Sequence, residues 1–288
     1  MTNNYLSELS NCSFMINFAR MKPFNDYTLN IRGKLFSLRE PVVMGILNAT
    51  PDSFYAASRV QTADEIAKRA HQIIAEGGKM IDVGACSTRP GGDVCTEEEE
   101  MERLRKALPI VREAEPDAVV SLDTFRASIA RECVEHYGVD IINDVACGAD
   151  PDMFGTVAQL QVPYILMSLD SNTRDICMTF ARKVQELRDL KAKDIILDPG
   201  FGFGKDVKQN YEVLRNMDKL QVFGLPILVG MSRKRMIHQL LGITANESLN
   251  GTTVVNTLSL LKGASILRVH DVKEAVQATT IVGQMLQA

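Results

Sequence analysis

VVMGILN, residues 42–48, decides the fold. It is an unbroken apolar run that closes on an asparagine. Seven further runs repeat the pattern: MIDVG (80–84), VVSLD (119–123), IIND (141–144), YILMS (164–168), IILD (195–198), PILVGMS (226–232) and ILRVH (266–270). Strands buried on both faces read as such near-continuous aliphatic runs. Helix-like segments lie at about 63–77, 96–115, 125–137, 151–160, 173–192, 207–220, 233–241, 247–262 and 272–287. Eight strands alternating with helices predict an α/β fold, the (β/α)8 TIM barrel, whose active site lies at the C-terminal ends of the strands. The polar residues that close the runs then share one mouth. Two helical segments separate the seventh and eighth runs where one suffices, and barrels often link an extra helix there to anion binding.

Upstream of the first run, Tyr27–Arg32 alternates apolar and polar residues, Gly33 and Lys34 follow, and Leu35, Phe36 and Leu38 come next. This pattern predicts a β-hairpin covering the barrel bottom. Residues 1–26 show no period and form an N-terminal extension, expected to be partly disordered. The barrel with its hairpin occupies 27–288. Thr96, followed by Glu97–Glu100, reads as a capped helix start whose acids are solvated and without function. Thr124 and Asp150 read as similar caps.

The chain has 288 residues, 45% of them hydrophobic and 24% charged, which is ordinary for one globular barrel. Net charge is −4 and no basic stripe is present, which argues against nucleic acid. Six dispersed cysteines, without C-x-x-C, form neither a zinc motif nor a disulfide framework, and predict reduced cytosolic thiols. No run approaches the ~20 apolar residues of a membrane helix. The polar start MTNNYLSELSNCS has no signal-peptide pattern. A cytoplasmic protein is expected.

Charged residues within apolar runs carry the chemistry. Asp123 and Asp198 close strands, and a buried carboxylate without partners is expensive. Asn143 adds an amide beside them. With few cations expected nearby, the three make an acceptor-rich floor suited to a ligand with adjacent N–H groups, such as an amino-pyrimidinone. Asp82, mid-strand, reads equally well as a salt-bridge partner or a site residue. The anion-binding candidates are Asn48, opening N-A-T-P-D-S-F; Thr88 and Arg89, in S-T-R-P-G-G (87–92); Ser232, Arg233 and Lys234, at the start of a helix; and Arg268 and His270, alternating about Val269 and so on one face. D-P-G-F-G-F-G-K (198–205) lacks the spacing of a Walker loop, and its glycines instead permit tight turns. Phe201 and Phe203 read either as stacking partners for a flat heterocycle or as core.

Together these motifs resemble the dihydropteroate synthases. The resemblance spans about residues 42–288 and rests on M-G-I-L-N-A-T-P-D-S-F, D-V-G-A-C-S-T-R-P-G, S-L-D-T, I-I-N-D-V, D-P-G-F-G-F-G-K, L-V-G-M-S-R-K and R-V-H-D-V, in family order. It implies condensation of p-aminobenzoate with 6-hydroxymethyl-7,8-dihydropterin diphosphate, giving 7,8-dihydropteroate and pyrophosphate in folate biosynthesis. It assigns Asp123, Asn143, Asp198 and Lys234 to the pterin. Asn48, Arg268 and His270 fall to the diphosphate, Asn48 through Mg2+, and Thr88, Arg89 and Ser232 to the mobile loops and the p-aminobenzoate site. It also implies a homodimer built on the late helices, with no membrane partner.

The chain departs from the family pattern in three loops. After the fifth strand it reads M-S-L-D-S-N-T-R-D in place of M-H-M-Q-G-x-P, shortening the connection. The first loop has Tyr55-Ala56-Ala57-Ser58 in place of S-D-G-G, and Cys86 replaces a common glutamate. Two other readings are therefore carried: a non-catalytic pterin-binding paralogue and a pterin-dependent methyltransferase.

Overall fold

The computed structural model describes residues 25–49, 63–86 and 95–287. The expected N-terminal extension, through residue 24, lies outside the described residues. So do Thr88, Arg89 and the altered part of the first loop.

The chain opens with a hairpin, β1 (Thr28–Ile31) and β2 (Lys34–Ser37), paired antiparallel with Ile31 opposite Lys34. Its two-residue turn, Arg32-Gly33, takes φ values of 51° and 77°. Positive φ at both positions matches the twist of a tight hairpin. The barrel strands follow: β3 (Val42–Asn48), β4 (Met80–Gly84), β5 (Val119–Asp123), β6 (Ile141–Asp144), β7 (Tyr164–Met167), β8 (Ile195–Asp198), β9 (Leu228–Val229) and β10 (Ile266–Val269). They pair in parallel in the order β8-β7-β6-β5-β4-β3-β10-β9, and a bridge between Leu197 and Ile227 nearly closes the ring. The seventh barrel strand is shorter than its apolar run. Pro226 cannot donate a ladder hydrogen bond, so only its carbonyl joins, accepting from Leu197 N–H at 2.9 Å.

The helices are α1 (Ala63–Ala75), α2 (Glu97–Ala114), α3 (Ala127–Tyr137), α4 (Met153–Leu160), α5 (Thr173–Asp189), α6 (Val207–Asn216), α7 (Arg235–Leu241), α8 (Leu249–Leu261) and α9 (Val272–Gln287). The pair α7 and α8 is the extra-helix insertion. After α6 the chain tightens into a 3-10 segment, Met217–Phe223.

Two cores result from the period of two along each strand. Val43, Leu47, Ile81, Val83, Val120, Leu122, Leu267 and Val269 face outward and pack with helix residues such as Ile73, Leu104 and Leu108. Met44, Met80, Val119, Ile141, Ile165, Ile196, Leu228 and Ile266 form a separate inner cluster, one residue per strand, closed from below by Leu29, Ile31 and Leu38. The same alternation, two residues further up, brings Asp82, Ser121, Asn143, Asp198 and Arg268 to the inner face. The apolar plug at the bottom thus fixes which residues line the mouth.

Two local expectations are corrected and a third is extended. Thr96 does form a capping box with Glu99, but Glu100 is fully buried and pairs with Arg126 instead of facing solvent. Thr124 does not cap α3, because the helix begins after Arg126. Asp150 serves two helices: its Oδ2 accepts from Ala127 N–H of α3 at 2.8 Å and its Oδ1 from Asp152 N–H at the start of α4 at 3.0 Å. Side chains from distant turns satisfy these helix ends, which local sequence does not reveal.

Candidate active site

The centre of the mouth is an ionic network on the inner face. Arg268, on β10, donates from Nε to Asp82 Oδ2 at 2.6 Å and from Nη2 to Asp123 Oδ2 at 2.8 Å. Asp82, with no exposed surface, also accepts from Ser121 Oγ at 2.6 Å and from Asn143 Nδ2 at 3.2 Å. Asp82 is therefore the structural partner that holds Arg268 and Asn143 in place. The expectation of a floor with few cations is corrected. β10 lies beside β3 in the closed ring, so its arginine crosses the barrel to β4 and β5.

Two acceptors at this floor are buried and unpartnered: Asp123 Oδ1 and Asn143 Oδ1. Buried polar atoms normally find a hydrogen bond, and exceptions need a physical reason. Here the reason is a ligand that brings its own donors. Asp198 stands on β8 at the same level, its Oδ1 held by Gly200 N–H at 2.7 Å. Burial pushes its carboxyl above the usual range, while Lys234 and the Gly200 N–H pull it down.

Asp123 is pushed up to about 7, first by burial, against the pull of Arg268 and with repulsion from Asp82. Its unfolded value lies near 3.9, so folding tightens proton binding, and its contribution to stability declines as pH rises between the two values. Recognition of a ligand N–H needs the carboxylate. Affinity for a neutral pterin analogue is thus expected to rise with pH through about 7 and then level off. Calorimetry across that range checks this, and a flat profile would remove Asp123 from the floor.

The glycine-rich loop after β8 is shaped for close contact. Gly200 has φ +69°, and a Cβ there would meet Ser168 O at 2.0 Å. At Gly202 (φ +82°) a Cβ would meet Lys234 Cδ at 2.7 Å. Lys234 donates to the Phe201 carbonyl and lies 4.6 Å from the Phe203 ring centroid. Burial pulls its ammonium down to about 8, against the attraction of Asp198. Phe201 is corrected as a stacking candidate: its ring is fully buried in the outer core, and only its carbonyl faces Lys234. Lys205, missed as a site residue, donates to Gly200 O at 2.9 Å and Phe203 O at 3.2 Å and pins the loop. Its place at the end of D-P-G-F-G-F-G-K was the available signal.

The other candidates divide. Asn48 ends β3 beside Gly84; a Cβ on Gly84 would lie 3.6 Å from Asn48 Oδ1 and 3.5 Å from Asp123 Cβ. Ser232 Oγ accepts from His270 N–H at 3.2 Å and ties the β9 and β10 ends together. The His270 carbonyl receives Arg69 Nη2 at 2.8 Å. Arg233 is corrected as an anion candidate: it binds Asp271 through two nitrogens, at 2.9 and 2.7 Å, and the Ala245 and Asn246 carbonyls. Its φ of 55° turns it away from the helix start that suggested the role. Asp271 is thereby an anchor. Thr88 and Arg89 lie outside the described residues.

The shortened connection after β7 closes on itself. Ser168 Oγ donates to Asp170 at 2.7 Å, and Asn172 caps α5 by accepting from Asp175 N–H at 3.1 Å.

Comparison with known proteins agrees with this geometry. Residues 44–270 match the family model described as pterin binding enzyme. The chain is 36% identical over 265 residues to a dihydropteroate synthase of Streptococcus pyogenes serotype M6, covering 88% of this chain and 99% of that one. It is 35% identical over 274 residues to that of Escherichia coli K12, covering 89% and 96%. Among solved structures, Yersinia pestis dihydropteroate synthase with a sulfonamide drug superposes with a TM-score of 0.85 at 34% identity, covering 91% of this chain and all of that one. The Xanthomonas albilineans enzyme with 4-aminobenzoic acid gives 0.83 at 32%, covering 92% and 99%.

Proposed function

The chain belongs to the pterin-binding enzymes as a member of the dihydropteroate synthase family, and from this premise we propose how its own residues divide the reaction. The enzyme condenses 6-hydroxymethyl-7,8-dihydropterin diphosphate with p-aminobenzoate, releasing pyrophosphate and 7,8-dihydropteroate. The methyltransferase and non-catalytic readings give way to it.

The pair of orphaned acceptors, Asp123 Oδ1 and Asn143 Oδ1, carries the assignment of the floor. With Asp198 they meet the N–H edge of the pterin, where a charge-assisted, directional fit is strongest. Lys234 approaches the ring carbonyl from the other side of Asp198. Arg268 engages Asp82 and Asp123 through Nε and Nη2, so Nη1 is the nitrogen it retains for a phosphate oxygen. Asn48 and His270, at the ends of neighbouring strands, complete the diphosphate end, while Thr88, Arg89 and Ser232 serve the p-aminobenzoate side.

The amide oxygen of Asn48, beside the space that Gly84 leaves open, suits a hard cation that takes its other ligands from water and phosphate. Asn48 is the residue we propose for Mg2+, which supplies charge neutralisation to the leaving diphosphate when bound. The protein's part is to hold the pterin methylene in line with the amine and to stabilise developing negative charge with fixed cations. The carbon–oxygen bond to diphosphate breaks while the electron-rich pterin tolerates the developing cation at its methylene, and the neutral aniline nitrogen then attacks that carbon. The nitrogen then releases its proton to solvent, so no strong base is required.

The test is a steady-state assay with Mg2+, the dihydropterin diphosphate and p-aminobenzoate, beside a chimera carrying the longer family-type connection after β7. Turnover by the native chain at a rate like the chimera's is expected, because the short connection is internally satisfied. A chimera many-fold faster would show that the connection belongs to the catalytic machinery. Pterin binding without turnover in both would overturn the assignment of these residues to catalysis.

A homodimer is proposed on the late helices. Leu240, Leu241, Val254, Leu258, Leu261, Ile281 and Met285 are exposed on α7, α8 and α9, and exposed apolar side chains of this kind are what a partner subunit would cover. Among the described residues no helix is long and apolar enough to cross a membrane. The described cysteines are all free thiols, which supports a reducing, cytoplasmic setting.

A further inference from the structure

We propose that Cys86, Cys95 and Glu100 form a binding site for a thiophilic divalent cation of the Zn2+ class, separate from the pterin and diphosphate positions. One ligand atom from each, the two Sγ atoms and a carboxylate oxygen, lies within 4.8 Å of the others. Tetrahedral zinc with Zn–S bonds of ~2.3 Å needs sulfurs roughly 3.8 Å apart, so little movement is required. Cys86 follows β4, and Cys95 and Glu100 come from the start of α2. Their positions are set by the barrel and by a capped helix, not by one another.

A second observation points to a ligand. Glu100 is fully buried, and its Oε1 makes no well-aligned hydrogen bond, although the Thr124 hydroxyl lies near the carboxylate. Its other oxygen pairs with Arg126, whose Nη2 also donates to the Cys95 carbonyl at 2.6 Å. The thiols meet each other, the Arg126 guanidinium beside Cys86, and nearby backbone groups. Cys95 N–H approaches Cys86 Sγ at 3.2 Å, Cys86 Sγ approaches Cys95 O at 3.8 Å, and Cys95 Sγ approaches Ala85 O at 3.9 Å. Arg126 and Arg103 flank the group; Arg103 donates to Ala85 O at 2.9 Å. Their two positive charges are outweighed by the two thiolates and the carboxylate of the loaded site. Thiolate donors select zinc-like or softer ions over Mg2+, so this set does not compete for the reaction's cation. Water fills the fourth position.

Binding is balanced as two thiols plus M2+ giving a bis-thiolate complex and two protons. Apparent affinity therefore rises up to a hundredfold per pH unit below the thiol pKa values, tenfold for each proton released. The bound ion would staple the end of β4 to the start of α2.

Co2+ titration of the reduced full-length enzyme tests this. One equivalent is expected to bind with a thiolate-to-Co2+ charge-transfer band and the visible bands of tetrahedral cobalt, both abolished by Zn2+. Cys86→Ser and Cys95→Ser should each lose the band, and Glu100→Gln should weaken binding at least tenfold. A variant with Cys12→Ser, Cys133→Ala, Cys147→Ala and Cys177→Ser should retain it. No band in the wild type, a band that survives Cys86→Ser with Cys95→Ser, or its loss in the four-site variant would overturn the proposal.

Discussion

Asp198→Ala is expected to abolish detectable pterin binding while leaving a folded barrel. Asp198 is 7% exposed, and its carboxylate is raised in pKa by burial, so the fold itself gains little from the charge. Its value lies with the ligand. Removing it leaves pterin N–H groups desolvated and unpaired, a loss of about 1–3 kcal/mol or more, up to about two orders of magnitude in Kd or beyond. It also removes the attraction that keeps the Lys234 ammonium charged. Asp198→Asn keeps the shape and an acceptor for Gly200 N–H, so its melting temperature should be no lower than wild type at neutral pH. The sign follows from the raised carboxyl: a group disfavoured in its charged form when folded lowers stability above its unfolded value. Calorimetry with a pterin analogue and thermal melts check the two halves. Near-wild-type affinity in Asp198→Ala would rule out this floor.

Arg268→Ala is expected to damage stability, pterin binding and turnover together. From sequence, Arg268 meets only the diphosphate, so the substitution should spare a pterin that lacks it. The ionic network changes that expectation. Arg268 is the direct partner of Asp82, which has no exposed surface, and of Asp123. Removing it strands buried carboxylates at a loss of about 3–5 kcal/mol, a melting shift of roughly 10 °C. Arg268 is also the main influence holding the Asp123 carboxyl down, so Asp123 should protonate at higher pH and accept pterin N–H groups less well. Arg268→Lys retains a charge but not the two-nitrogen fork, and should fall between. Thermal melts and calorimetry with a diphosphate-free pterin decide. An unchanged melting temperature with unweakened pterin binding would place Arg268 outside this network.

The barrel was legible because its evidence is local. Each apolar run announces a strand buried on both faces, as β3, β4, β5, β6 and β8 match their runs end to end. The hairpin was visible for the same reason, through alternation around a turn containing Gly33. Asp123, Asn143 and Asp198 stood out as polar residues ending apolar text. Other features are relations between distant positions. Asp82 and Arg268 are 186 residues apart in sequence and 2.6 Å apart in space. Nothing near either residue distinguishes an ion pair from a ligand contact. The acidic run opening α2 looked solvated, yet Glu100 is turned inward by the helix period to face Arg126 and two cysteines.

Sequence alone determined the element order, the barrel and the set of polar strand ends, because strand burial and helix amphipathicity are written into nearest-neighbour patterns. Tertiary structure decided how those strand ends pair. Only ring closure brings β10 against β3, so only then does Arg268 reach Asp82 and Asp123, leaving Asp123 Oδ1 and Asn143 Oδ1 open. Which polar atoms remain unsatisfied in a low-dielectric interior depends on every neighbour at once, and that is where the ligand is read.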